Sequence, residues 1–435
     1  MAGSLQVRVH DLEGRRVVLA RSASGPRSGA LDRADGEGIA AAAGAALRYR
    51  LPLVLDLVSG GVDVASGVDG LHGWGGAAAA VAACSGIVPV VVVLGGPVVS
   101  GSVLLLGLAD LVVMTPEALA FVSGPAMVAS FTGVEIAASE LGGVPVHATT
   151  SGLCAVETDD PYGALAELLS YLPDHADVEP PVEPSDDPVD RATPELRTVV
   201  PARDNASYDV REVAAALVDD GYLTELWPRW SPQLLTAWGR VGGRPVGIVA
   251  NQPRALAGTL DIAASQKGAR FVRLCDAFNV PLLTLVDTPG FLPGKDLEWR
   301  GMIRHGAELA FAYAEATVPR VGVILRKAYG GAYIVMDSKG LGNDVCLAWP
   351  GAEIAVMGAA GAVQILHRQA APEDRARLED EYRARFLTPW AASERGFVDA
   401  VIDPGETRRA VAGALSVLAA KRERLPGRKH DAGPL

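Results

Sequence analysis

The chain has 435 residues, 49% hydrophobic and 21% charged, which is enough apolar surface for large buried cores and excludes global disorder. Its formal charge of −12 argues against nucleic acid as the main partner, although a local arginine cluster can still bind a small anion. Four cysteines, Cys84, Cys154, Cys275 and Cys346, lie far apart with no CxxC pair. That spacing shows no zinc ribbon or disulfide framework, and it fits buried small residues in a reducing cytoplasm.

The N-terminal "MAGSLQVRVHDLEGRR" is charged too early for a signal peptide. "GEGIAAAAGAALRY" reads as a helix, and "RLPLVLDLVSGG" (Arg50 to Gly61) as a buried strand ending in glycines. The apolar run near Gly86 to Val99 is broken by glycine and proline and is too short to span a bilayer. It reads as a strand and turn within "VPVVVVLGGPVVSGSVLL" (Val88 to Leu105). "ADLVVMTPEALAFVSGP" (Ala109 to Pro125) follows.

The segment "DHADVEPPVEPSDDPVDRATPEL" (Asp174 to Leu196) is acidic, proline-rich and without apolar periodicity, which marks a linker. The expected division is a domain over 1–175, a linker over 176–196 and a second domain over 197–435, two domains of about 200 residues each.

The second half repeats the order of the first. "NVPLLTLVDTPG" parallels the Arg50 segment, with Pro281 answering Pro52. The helical "RHGAELAFAYAEA" leads to "VPRVGVILRKAYGGAYIV", in which Pro319 answers Pro89 and Gly331 answers Gly101. "NDVCLAWPGAEIAVMGA" parallels the Ala109 segment. Offsets of 229, 230 and 234, in one order, predict a duplicated α/β fold of strands buried on both faces.

Adjacent glycines at a strand-to-helix junction let backbone N–H groups approach a ligand closely. Two such groups form an oxyanion hole, each donor contributing about 2.7–4 kcal/mol to a transition state. Two facing holes suit two carbonyls, one on each reactant of a group transfer. A glycine pair can equally just relieve crowding in a tight turn, and the residues alone leave both readings open. No GxSxG, HExxH or Walker loop occurs. His305 lies on a helix and reads as a packed or capping histidine rather than a base.

Several stretches carry a family resemblance: "GRPVGIVANQP", "KGARFVRLCDAFNVPLLTLVDTPGFLPG", "IRHGAELAFAYAEATVP", "RKAYGGAYIVM" and "AWPGAEIAVMGAAGAV". In these the chain resembles the carboxyltransferase (β) subunits of biotin-dependent acyl-CoA carboxylases, most of all propionyl-CoA carboxylase β chains. "SGG", "GLADLVVMTPEALAFVSGP" and "ELGGVPVHATTSGLCAVETDD" match more loosely. The resemblance implies two crotonase-like (ClpP/crotonase) β-β-α superhelix domains. It places acyl-CoA on the first and biotin on the second, with the active site between the first domain of one subunit and the second domain of another.

Carried over by position, Gly330 and Gly331 form the hole for the biotin ureido oxygen, and Ser100 and Gly101 the hole for the acyl thioester oxygen. Gly60, Gly61, Tyr333 and Ile334 fall at substrate-binding positions, and Gly290, Phe291, Ala328 and Tyr329 at biotin-binding ones. No metal is implied.

Four departures stand out. Ser100 replaces the first glycine of a family Gly-Gly pair. Ile334 stands at the selector position where propionyl-type chains carry an acid, which implies an altered acyl pocket. "SGGVDVASG" puts Asp63 where the family has an arginine-bearing loop. The family's N-terminal extension is expected to be missing.

No lysine follows any methionine, so the Met-Lys-Met biotinylation site is absent, and no ATP-binding glycine-rich loop is present. Biotin is then expected on a separate biotin carboxylase/biotin carboxyl carrier α chain, with a coenzyme A thioester as substrate. A cytoplasmic homo-oligomer, hexameric or dimer-based, is expected. Two alternatives accompany this reading: a biotin-independent decarboxylase or tailoring enzyme acting on a malonyl-type thioester, and a non-catalytic paralogue within a carboxylase complex.

Overall fold

The structure is a computed structural model describing residues 5–22, 30–201, 203, 205–421 and 423–434. The chain divides into two compact units. The first comprises Met1–Pro181, Trp227–Trp230 and Ala277–Asn279, and the second Val182–Leu226, Ser231–Asp276 and Val280–Leu435.

The strands of the first unit are β1 (Leu5–Leu12), β2 (Arg15–Ser22), β3 (Leu53–Asp56), β4 (Val90–Leu94), β5 (Pro97–Val99), β6 (Leu111–Met114), β7 (Leu119–Phe121) and β8 (Val156–Glu157). Six of them form one sheet in the order β1-β2-β3-β4-β6-β8. β1 and β2 are an antiparallel hairpin, and every later pairing is parallel. β5 and β7 pair separately, also in parallel. All residues of β3, β4 and β6 are buried, which is why these strands read as continuous apolar runs. The "GEGIAAAAGAALRY" stretch lies within the helix Arg33–Tyr49, which starts at an Asp32–Asp35 capping box.

The second unit has β9 (Thr224–Glu225), β10 (Leu234–Val241), β11 (Arg244–Asn251), β12 (Leu282–Thr288), β13 (Arg320–Tyr329), β14 (Val345–Ala348), β15 (Glu353–Ala355) and β16 (Ala400–Val401). Its sheet runs β16-β14-β13-β12-β11-β10-β9, with β15 pairing the far end of β13. β9, β10 and β11 pair antiparallel in turn, and the pairings from β11 through β16 are parallel.

The two units repeat one another pair by pair. Val91↔Leu111 of the first corresponds to Val321↔Val345 of the second. Pro97↔Leu119 corresponds to Lys327↔Glu353. Both correspondences carry the offsets of 230 and 234 read from the sequence. The units differ in that β13 is continuous where β4 and β5 are separate strands. Gly95, Gly96 and Pro97 explain the break, because glycine weakens a strand and proline cannot donate to the ladder.

The acidic segment after residue 174 has little regular structure but is well tied down. Asp187 accepts from Arg191 at 2.7 Å and lies 3.4 Å from the fully buried Arg408. Glu183 pairs with Arg240 at 2.6 Å. The four cysteines are free and buried. Among the described residues, no helix is long and apolar enough to cross a membrane.

Candidate active site

Each unit builds the same pair of turns, and these turns contain most of the sequence-derived site residues. The first turn of each pair follows the second parallel strand. In the first unit the Ser59 hydroxyl accepts from the Gly61 amide at 3.1 Å, and in the second the Thr288 hydroxyl accepts from the Gly290 amide at 3.4 Å. Gly61 has φ 105° and Gly290 φ 145°, the left-handed side that favours glycine.

The next residue bridges in parallel to an earlier segment, Val62 to Leu31 and Phe291 to Leu260. In the first unit that bridge uses Leu31 N–H to Gly61 O at 2.7 Å and Asp63 N–H to Leu31 O at 2.9 Å. In the second it uses Leu260 N–H to Gly290 O at 3.2 Å and Leu292 N–H to Leu260 O at 2.8 Å. Neither bridge uses the amide of Val62 or Phe291.

The second turn of each pair ends the following strand. Ser100 and Gly330 have φ 64° and φ 57°, and each opens a short helix, Ser100–Leu108 and Gly330–Val335. The two turns of each unit lie side by side. A Cβ on Gly101 would fall 3.9 Å from Val62 Cγ2, and one on Gly331 3.4 Å from Phe291 Cε2. A Cβ on Gly61 would fall 3.0 Å from Ser100 Cβ. Each unit therefore brings a first-turn residue against a second-turn residue, the Val62 side chain toward Gly101 and the Phe291 ring toward Gly331. This arrangement suits charge stabilisation by amides, without a side-chain acid or base at the turn itself.

The remaining residues expected at the site are placed as follows. Gly60 is exposed beside Gly61. Ala328 is buried at the end of β13, paired with both Thr288 and Ile354. Tyr329, just before Gly330, donates its hydroxyl to the Glu353 carboxylate. Ile334 is 52% exposed on the short helix. Tyr333 turns inward, where burial and the neighbouring Cys346 push its phenol up from the usual range. Asp63 has a local explanation, since its carboxylate accepts from the Ala65 amide at 3.1 Å and caps the turn Val64–Ser66. His305 is held by Glu308 at 2.6 Å and Gln266 at 3.1 Å.

Buried ions support the second pair of turns. Asp287, one residue before Thr288, takes Arg326 Nε at 3.1 Å, the Tyr208 hydroxyl at 2.9 Å and the Lys327 amide at 3.1 Å. Burial raises its carboxyl above the usual range, and Arg326 opposes the shift. Behind the short helix, Asp337 takes Arg320 Nη1 and Asn343 Nδ2, both at 2.8 Å. A cavity of 440 Å³ in the second unit is lined by Arg197, Arg326, Lys327, Trp349 and Glu353 among others, but not by Gly330 or Gly331.

Val62 carries no mark of its own in the sequence, although the offset of 229 pairs it with Phe291, and Arg326 and Glu353 have partners distant in the chain.

Comparison with known proteins agrees with this fold. The carboxyl transferase domain family matches residues 9–432. The propionyl-CoA carboxylase beta chain of Saccharopolyspora erythraea is 44% identical, over 98% of this chain and 82% of its own. The methylmalonyl-CoA decarboxylase subunit alpha of Veillonella parvula is 43% identical, over 90% of this chain and 77% of its own. The crystal structure of transcarboxylase 12S, a hexamer solved with hydrolysed methylmalonyl-coenzyme A bound, superposes with a TM-score of 0.97 at 41% identity, covering 99% of this chain and 85% of that one.

Proposed function

The chain belongs to the carboxyl transferase domain family, and from that premise we propose that it moves a carboxyl group between carboxybiotin and the α-carbon of an acyl-CoA thioester. The observation that carries this reading is the repeated pair of turns, one set per unit, each with backbone donors and a residue held left-handed at its second turn.

In the first unit, the amides of Val62 and Gly101 receive the thioester oxygen. Loss of the α-proton, for which the biotin nitrogen freed by departure of the carboxyl would be the acceptor, puts negative charge on that oxygen, and each donor stabilises the enolate by about 2.7–4 kcal/mol. Gly60 and Gly61 keep the backbone open to the substrate. Ile334, which belongs to the second unit, is the residue read as an apolar selector for the acyl group.

Biotin, carried on another chain, would supply a ureido group whose oxygen would gain charge as the carboxyl leaves. The residues present fit such a group. Phe291 and Gly331 offer two amides beside an aromatic wall, and Gly290, Ala328 and Tyr329 complete the surround. The Arg326–Asp287 pair anchors the ends of β12 and β13, so the donors do not have to reorganise during reaction.

The partner would be a biotin carboxylase/biotin carboxyl carrier α chain. The assembly would be a cytoplasmic homo-oligomer like the hexameric 12S relative. Decarboxylation is the second reading, favoured by the 43% identity to a chain named for that reaction, and it uses the same enolate hole.

The test is carboxyl transfer from a carboxybiotinylated α chain to a panel of acyl-CoA thioesters. Labelled product with at least one of them supports the proposal. Carbon dioxide release from a malonyl-type thioester, with no transfer to any acceptor, would replace it with the second reading.

A further inference from the structure

The motif "WPGAEIAVMG" contains a carboxylate that the reaction as described does not use. Glu353 opens β15 and stands in register with Lys327 of β13. One of its oxygens accepts from the Tyr329 hydroxyl, and the other accepts from Arg383 Nε at 3.1 Å. Arg383 in turn donates to Asp380 at 2.9 Å. It begins the π-turn Arg383–Leu387, which continues the helix Pro372–Tyr382.

Tyr329 is the residue directly before Gly330. A Cβ on Gly358 would fall 3.4 Å from the Tyr329 ring, and one on Gly330 would fall 3.0 Å from the Val356 carbonyl oxygen. The residues just beyond Glu353 therefore abut the turn itself.

The duplication provides an internal comparison. The first unit has a matching π-turn, His147–Ser151, whose His147 Nε2 meets the Ala120 carbonyl of β7 at 2.8 Å. At the positions of Tyr329 and Glu353 it carries Val99 and Leu119. Both units thus fasten the short strand beside the second turn to a π-turn, but only the second does so through a charged side-chain chain that ends at Tyr329, the residue preceding that turn. A carboxylate accepting from both a phenol and a guanidinium makes stronger, more directional bonds than apolar packing does.

We propose that Glu353 is a positioning residue for the Gly330–Gly331 turn, holding Tyr329 so that the Gly331 amide stays aimed at the ureido oxygen. This rests on the assignment of that turn to biotin. The Val356 carbonyl and the Gly358 backbone already lie against the turn, so the expected effect of losing Glu353 is misalignment rather than unfolding. A misplacement of about 1 Å costs up to about 10²-fold in turnover.

The experiment compares the full-length wild type with Glu353→Leu, Glu353→Gln, Tyr329→Phe and the Glu353→Leu/Tyr329→Phe double variant. Carboxyl transfer from a carboxybiotinylated α chain is followed together with deuterium uptake of peptides covering 326–340 and 97–108. Glu353→Leu should lower kcat by about 10–10²-fold with little change in KM for the α chain. It should raise uptake in 326–340 and leave 97–108 unchanged. Glu353→Gln, which keeps one acceptor oxygen, should fall between wild type and Glu353→Leu. The double variant should be no worse than the poorer single one, because one linkage is being cut twice.

Wild-type kcat and unchanged uptake at 326–340 in Glu353→Leu would overturn the proposal, as would additive losses in the double variant. A wild type with no transfer at all would overturn the biotin assignment instead, and the uptake measurement would still decide whether Glu353 holds the turn.

Discussion

Ser100 and Gly330 hold the same place in two copies of one fold, with φ 64° and φ 57°, although one has a side chain and the other does not. A non-glycine residue in this region is held against a steric cost on the order of 1–3 kcal/mol. The Ser100 side chain also lies against Gly61, where even one added carbon would come within 3.0 Å. Ser100→Gly should therefore be at least as stable as wild type in thermal unfolding, with the glycine's greater chain entropy offsetting part of the relief. Ser100→Val should be clearly less stable, since β-branched residues are outliers there. Equal melting of all three proteins would show that the turn does not require the left-handed conformation.

The two glycines of the second turn are not interchangeable. Gly330 needs its positive φ and sits under the Val356 carbonyl, whereas a side chain at Gly331 would start in ordinary contact with the Phe291 ring. Gly330→Ala should lose stability, by about 1–3 kcal/mol in chemical denaturation, and Gly331→Ala much less. A reversed order would contradict the assigned backbone.

That distinction shows what could be read from the sequence and what could not. The duplicated strands announced themselves, because strands buried on both faces leave continuous apolar runs that align at one offset. The glycine pairs were visible for the same reason. The conformation of Ser100 was not, since serine carries no mark of a left-handed φ. Glu353, Arg326 and Asp337 were also invisible, because their partners come from other strands and helices and no periodic pattern encodes such pairs. Asp63 looked anomalous beside a coenzyme A loop until its carboxylate was found capping its own turn.

Lys267 is fully buried in the helix Ile262–Ala277, and burial pulls its ammonium down to about 7, with Glu225 opposing the shift. In the unfolded chain an ordinary lysine keeps its proton to about pH 10.4. Between about pH 7 and 10 the unfolded state therefore binds more protons, and this residue makes stability rise with pH. Lys267→Met should raise stability at pH 7 and flatten the denaturation midpoint over pH 7–9.5. An unchanged slope in that variant would place the titration elsewhere.

Asp337 neutralises Arg320 where both side chains are almost completely inaccessible, at 0% and 3%. Removing one partner of such a pair strands the other, at a cost of about 3–5 kcal/mol. Asp337→Ala should lose about that much in urea unfolding. Asp337→Asn should lose less, because asparagine tolerates the φ of 57° and keeps an acceptor for the guanidinium. A loss under about 1 kcal/mol for Asp337→Ala would mean that Arg320 finds another partner.

The central claim is that two equivalent backbone holes serve two different carbonyls, and one comparison tests it most directly. In Gly101→Val and Gly331→Val the first added carbon would lie 3.9 Å from Val62 Cγ2 and 3.4 Å from Phe291 Cε2, so each fold should survive while its hole is blocked. Label transfer from a carboxybiotinylated α chain to acyl-CoA is measured beside biotin-free decarboxylation of a malonyl-type thioester. The account predicts that Gly331→Val loses about 10²–10³ in transfer yet keeps whatever decarboxylation the wild type has, and that Gly101→Val loses both. Wild-type transfer by a folded Gly331→Val protein would contradict it.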